Sequence, residues 1–489
     1  MEQVEKKLSM RWNRLSVAGM LLLVWIGCVV TGQPSAVSAD TGAAAADDAA
    51  APDLDDLLEQ FDADDASPVP DRAETAPSPP PAMNHSISGK FSLSTAYNVA
   101  HAPPPPGQTD WRGLSRLRSL LAVEVDVDPS DVLSIHASGY GFYDAAYAIN
   151  GRNNYTPQVL DTYEEELELT ETYALLSPVP NIDLRFGRQI LVWGTSDNLR
   201  VTDVLNPLDL REPGLTDLEY LRLPVAMSRM DYYLRGWRFS AAAIHEIRFD
   251  KTPPYGSDYF PLSTPLPPED NPSTWGADTE WAFSAGKAFS GWDMAVYAAN
   301  HFNDSAHLET APPGAASPFI RRHARLNMVG AAASVAVGNW LLKSEAAWQD
   351  GFQYGVAPGE TFNRLDVLVG LEYSGFSETT VSIEAANREV LDFDDRLRMA
   401  QADAQPESFQ SALRVVREFM NDTLTVTFLA MTYGPLGQDG AFQRFQVQYD
   451  LRDNIEITGG VVFYQSGDRT EFSTIGDNDR LFAEVAYHF

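Results

Sequence analysis

The sequence predicts an all-β fold, a transmembrane antiparallel β-barrel of about 18 strands preceded by a disordered N-terminal leader. Three observations carry that expectation. From Ser86 onward the dominant signal is period-two alternation of apolar and polar residues. Tight-turn sequences and long polar connections follow one another in regular succession. Beyond the first 39 residues no apolar run approaches the roughly 20 residues of a spanning helix, although the chain is 44% hydrophobic and 11% aromatic. A chain of this kind can still cross a membrane as a closed barrel, because closure leaves no backbone group unpaired in lipid.

The clearest strands lie late. Leu365, Val367, Val369, Leu371 and Tyr373 alternate with Asp366, Gly370 and Glu372, and Phe445, Val447 and Tyr449 alternate with Arg444, Gln446, Gln448 and Asp450. Leu424, Val426 and Phe428 repeat the pattern between threonines. Tight turns are expected at Asp128 to Ser130, Ser177 to Asn181, Leu234 to Gly236, Ser290-Gly291, Gly338-Asn339, Ser374 to Ser377, Asn421-Asp422 and Arg452 to Asn454. Long connections are expected at His101 to Gly113, Ala145 to Thr162, Thr195 to Leu223, Asp250 to Ala277, Asn303 to Arg321, Gly351 to Thr361, Leu391 to Glu407, Gly434 to Gly440 and Ser466 to Asp479. A membrane barrel shows this asymmetry because one rim carries turns and the other carries loops. A soluble sandwich has no such reason.

The N-terminus reads as a secretory signal peptide over residues 1–39. Lys6, Lys7, Arg11 and Arg14 precede the apolar run Val17 to Val30, and Val37-Ser38-Ala39 supplies small residues for cleavage. Cys28 is the single cysteine and lies within that run, so the mature chain would have no disulfide, thiolate metal site or covalently attached haem. Residues 40–83 form a leader that is Ala-rich, then acidic, then Pro-rich, and too poor in apolar surface to hold a core. Within it, near 53–62, Leu54, Leu57, Leu58 and Phe61 share one face of a short amphipathic helix. Two readings stand: a nascent helix in a flexible periplasmic leader, or a docking peptide for a periplasmic partner or the barrel lumen.

Thirty-five Lys+Arg against 68 Asp+Glu give a formal charge of −33, which argues against nucleic acid as a partner. If those acids line a lumen, weak cation preference follows. Enzyme chemistry has little footing. The nearest approach to a cluster is His301, Asp304, Ser305 and His307 in one expected loop, and loop polarity accounts for it. Neither a metal site nor a cofactor is expected.

Around residues 187–214 the pattern changes. Ile182, Leu184 and Phe186 alternate with Asp183 and Arg185, but at Gly187-Arg188 the period breaks, so the strand ends there or Gly187 hosts a bulge that re-aims Arg188. The segment that follows is dense in opposite charges and too long for a hairpin. It is expected to fold inward over about 195–223 as a constriction built from Arg185, Arg188, Gln189, Trp193, Asp197, Asn198, Arg200, Asp203, Asn206, Asp209, Arg211 and Glu212. Arg116, Arg118, Arg229 and Asp231 are the lumen-wall residues expected to satisfy it.

Gly187-Arg188-Gln189, Trp193-Gly194, Asn206-Pro207-x-Asp209 and Arg211 to Gly214 resemble a motif of an outer-membrane barrel family, the domain of unknown function 1302, itself similar to alginate-export porins. After Val192 this chain departs from the family's version, reading Trp-Gly-Thr-Ser-Asp-Asn-Leu-Arg, so ligand identity does not carry across. The resemblance implies a passive outer-membrane channel for a solute or exported compound, linked to an inner-membrane exporter, with no enzyme chemistry. The alternative is a plugged barrel acting as a structural or docking partner in an envelope export complex. Leu481, Ala483, Val485, Tyr487 and the terminal Phe489 resemble the last strand of Gram-negative outer-membrane proteins, which implies outer-membrane lipid and the barrel-insertion machinery as partners.

Overall fold

The computed structural model describes residues 84–216, 218–399 and 404–489. The expected signal peptide, the leader and the Leu54, Leu57, Leu58 and Phe61 face lie outside the described residues. Eighteen antiparallel strands form one sheet. In chain order they are β1 (Asn84–Asn98), β2 (Gly113–Ser130), β3 (Leu133–Asp144), β4 (Glu165–Val179), β5 (Ile182–Gln189), β6 (Val225–Leu234), β7 (Trp237–Ile244), β8 (Glu280–Phe289) and β9 (Trp292–Phe302). After a small separate hairpin, β10 (His307–Thr310) with β11 (Phe319–Arg322), the sheet continues through β12 (Arg325–Val337), β13 (Trp340–Phe352), β14 (Phe362–Phe376), β15 (Thr379–Leu391), β16 (Glu407–Phe419), β17 (Leu424–Tyr433), β18 (Gly440–Arg452), β19 (Ile455–Gln465) and β20 (Arg480–His488). The seam closes by pairing β20 on β1, with Phe91 opposite Tyr487 and Leu93 opposite Val485. Closure pairs the edge groups that an open sheet would expose.

The period-two signal resolves into two faces. On β14, Val369 is 63% exposed on the outer wall while Leu368 is fully buried on the inner one. On β12, Val329 faces out and Met328 and Ala332 face in. Trp340, Trp292, Phe289 and Phe376 gather outward beside the short turns, where amphipathic rings suit a membrane boundary. Turns at 131–132, 180–181, 235–236, 290–291, 338–339, 377–378, 420–423 and 453–454 occupy one rim, and every long connection occupies the other. At 235–236 both Arg235 and Gly236 have positive φ, the hairpin geometry that matches strand twist.

Two local expectations shift. The 374–377 turn moves to 377–378, because β14 keeps pairing as far as Phe376 opposite Thr379. Within the connection expected at Asn303 to Arg321 the hairpin β10–β11 forms, and the His301 to His307 group separates. His301 lies buried one residue before the end of β9, and His307 opens β10, where its Nε2 lies 3.0 Å from Glu309 Oε1.

Candidate functional site: the interior loops

β5 does not break at Gly187. From Leu184 it pairs without a shift as far as Arg188 against β4 and Gln189 against β6, with Arg188 opposite Thr172 on one side and Ala226 on the other. The sequence-based bulge is therefore corrected: the register shift sits in β4 against β3, near Ala137 and Gly139. Gly187 is required for a different reason. Its φ is 129°, and a Cβ there would collide with the Thr172 carbonyl oxygen and lie 2.8 Å from Tyr173 Cα. The Arg188 guanidinium bonds Glu246, Glu168 (3.2 Å) and the Leu169 carbonyl (2.7 Å). It thus ties the wall to the root of the 245–279 connection rather than to its own loop.

From Ile190 the chain turns against inward-facing wall residues. Leu191, Trp193, Leu199, Val201 and Leu205 are buried in one apolar cluster with Met227, Tyr297, Met328 and Leu368, which come from β6, β9, β12 and β14. Trp193 stacks on Tyr297 with ring centroids 4.8 Å apart. Each fully buried side chain of this kind contributes about 1.5–3 kcal/mol, so apolar burial is one of the principal forces placing the loop.

Burial leaves the backbone N–H groups of 195–202 needing acceptors, because this segment pairs with no strand. Two wall carboxylates supply them. Glu345, on β13, accepts from Thr195 N (2.7 Å), Ser196 N (2.9 Å), Thr202 N (3.0 Å) and Thr202 Oγ1 (2.7 Å). Glu384, on β15, accepts from Ser196 Oγ (2.7 Å) and from the amides of Asp197 (2.9 Å), Asn198 (3.0 Å) and Leu199 (3.2 Å). Both carboxylates are buried, where hydrogen bonds to an ionised acceptor are strongest. Gly194, at φ 89°, allows the close approach: a Cβ there would collide with the Glu345 carboxylate. Lys343 of β13 pairs with Asp197, and Arg388 of β15 donates to the Arg200 carbonyl at 2.8 Å.

Further along, the loop satisfies itself. Arg200 donates to the carbonyls of Asp203 and Asn206, both at 2.7 Å, and Arg222 pairs with Asp203 at 2.9 Å. Asn206, fully buried, accepts from Leu191 N and donates to the Leu223 carbonyl, clasping the two ends of the loop. Its far arm then returns to β4 and β2, on the side of the wall next to its root. Arg211 pairs with Asp209 (Nε to Oδ1, 2.8 Å) and Glu166 (2.8 Å), and Glu212 pairs with Arg116 and, at 3.5 Å, Arg118. Burial would raise the Glu212 carboxyl, but Arg116 and Arg118 outweigh it and hold the group well below the usual carboxylate range.

The expected wall set divides. Arg116 and Arg118 meet the loop, but Arg229 and Asp231 pair with each other at 3.0 Å, and Asp231 also takes Arg238 at 3.2 Å. They have a partner two residues away on the same face of β6, so the loop's charges are not needed. Arg185 lies over the Tyr173 ring at 4.8 Å, and Gln189 donates to the Met227 carbonyl at 3.3 Å.

The sequence reading passed over two features. Glu345 and Glu384 were legible only as acids on mixed inward rows, beside Lys343, Ala347 and Gln349 on β13 and Ser382, Ala386 and Arg388 on β15. The 245–279 connection also crosses inside. Lys251 pairs with Glu166 (2.5 Å) and Glu168 (3.0 Å) and exchanges backbone hydrogen bonds with Leu208 and Leu210 at 2.8 Å. Asp258 pairs with Arg480 of β20 at 2.8 Å, and the Tyr259 and Tyr464 hydroxyls lie 2.9 Å apart. Tyr464 also lies 2.6 Å from the Pro213 carbonyl, so both loops converge on β19 and β20.

Solved structures share the architecture at low sequence identity. Pseudomonas aeruginosa OccK9 (OpdG) has TM-score 0.50 and 10% identity, covering 83% of this chain and 98% of its own. A BenF-like porin from Pseudomonas fluorescens Pf-5 has TM-score 0.49 and 10% identity over 83% and 98%, and Acinetobacter baumannii OccAB1 has 0.47 and 11% over 84% and 97%. Among curated proteins none matches the sequence. The family model for the protein of unknown function DUF1302 matches residues 115–489, and the chain belongs to that family.

Proposed function

We propose that this chain is a porin-like outer-membrane channel for a solute or exported compound, narrowed by the 190–224 loop, and that it carries out no catalysis. The observation that supports this most is the anchoring of residues 194–202 to Glu345 and Glu384, across the barrel from β5 and β6, where the loop is rooted. An eighteen-stranded wall encloses a lumen too wide for wall side chains alone to fill, so inserted loops decide what passes. In this reading residues 1–39 are removed as a signal peptide, 40–83 remain in the periplasm, and the Phe489 strand is what the insertion machinery reads. The test is conductance in a planar bilayer. Deleting residues 195–211 should leave a heat-modifiable barrel that conducts more, or more noisily, than the parent. Equal conductance of the two folded proteins would remove the loop from the permeation path.

A second reading has its own observation. Because the 245–279 connection crosses the interior as well, two loops share the cross-section. That favours a plugged barrel serving as a structural or docking partner in an envelope export complex, through Leu54, Leu57, Leu58 and Phe61. No conductance from either the full-length or the leader-deleted protein would decide for it.

A further inference from the structure

On the short-turn side of the 190–224 loop lies a cavity of about 520 Å³, bounded by the loop residues Ile190 to Trp193 and by β6 to β9. Three of its lining residues each keep a buried donor with no protein acceptor: Trp193 Nε1, Arg229 Nε and Ser240 Oγ. All three side chains belong to residues at least nine-tenths buried. Buried donors are normally paired, and several left open on one cavity mark a place where an acceptor group belongs. The charge count agrees. Arg229, Arg238 and Lys287 all line the cavity, and the carboxylate of Asp231 is shared by the two arginines, which leaves positive charge in excess. Although the whole chain is strongly acidic, this chamber is not. Apart from Ser284 and Lys287 the rest of its wall is apolar or glycine, with Ile190, Leu191, Val192 and the stacked Trp193 and Tyr297 rings on the loop side.

We propose that the chamber bounded by Trp193, Arg229 and Ser240 binds a small organic anion, its acid group held by the open donors and its apolar body against the loop. The inference takes the narrowed-channel reading one step further by naming a class of solute, but it is tested by binding alone. A pocket of this volume accommodates a molecule the size of benzoate.

The experiment is isothermal titration of the detergent-folded full chain with benzoate, with isosteric neutral benzamide, and with inorganic phosphate. Benzoate should bind at least roughly tenfold tighter than benzamide, because only the anion completes charge-assisted hydrogen bonds to these donors. Ser240→Ala and Trp193→Phe, which remove one donor each and preserve most of the packing, should each weaken benzoate by about tenfold while leaving benzamide unmoved. Heat-modifiable gel migration checks that both variants fold. Equal binding of benzoate and benzamide, no binding of either, phosphate binding as tightly as benzoate, or unchanged affinity in both variants would overturn the proposal. Benzoate binding by a protein that conducts nothing would instead defeat the channel reading and leave the site standing.

Discussion

Replacing Glu345 with glutamine isolates the loop's anchoring from the barrel's own stability. The carboxylate accepts at one oxygen from Thr195 N and Ser196 N and at the other from Thr202 N and Oγ1. Glutamine keeps one acceptor oxygen but turns an NH2 toward the second pair, so a donor meets the Thr202 N–H and that bond is lost, while the Thr202 hydroxyl can turn to accept and the remaining bonds lose their charge assistance. One charge-assisted bond lost at about 1.5–3 kcal/mol and three weakened by about 0.5–1 kcal/mol each put the cost near 3–6 kcal/mol before relaxation. The β13 ladder to β12 and β14 involves none of these groups, so the barrel should remain folded. The cost then falls on local opening of residues 194–202. At about 1.4 kcal/mol per tenfold, amide hydrogen exchange there should accelerate by roughly 10²–10⁴ in detergent micelles. Exchange across the β13 and β14 amides should not change. If Glu345→Gln folds and the 194–202 amides keep the parent's protection, the carboxylate does not hold the loop and the anchoring argument fails.

Gly194→Ala should loosen the same segment by about 1–3 kcal/mol, since alanine resists a φ of 89° and its Cβ would meet the Glu345 carboxylate; protection equal to the parent's would contradict that. Glu212 provides a pH test with a definite sign. Its folded carboxyl titrates below the unfolded value, so its contribution is complete above a pH of about 4.3 and fades as pH falls toward the folded value. Parent and Glu212→Gln should therefore differ in protection of residues 209–214 at neutral pH, begin to converge as pH falls below about 4 and meet only toward the folded value, and a difference that grew on acidification would reverse the assignment.

Period two along the chain was enough for the wall. Alternation such as Val367 and Val369 against Asp366 and Gly370 determines which face meets lipid, and alternating connection length determines which rim carries loops, because both are local properties of strands and turns. The composition of 187–214 likewise marked a stretch unlike the rest. Its partners were another matter. Thr195 meets Glu345 across 150 positions and Asp197 meets Glu384 across 187, contacts that exist only once the sheet closes and brings β13 and β15 opposite β5 and β6. For the same reason Arg188 looked like the anchor of its own loop, whereas its neighbours in space are Glu168 and Glu246. Charge drew attention to the loop in the sequence, but burial of Leu191, Trp193, Leu199, Val201 and Leu205 holds it together with the Glu345 and Glu384 carboxylates. That burial was invisible beforehand, because an apolar residue in a loop declares its surroundings only when the opposite wall is in place.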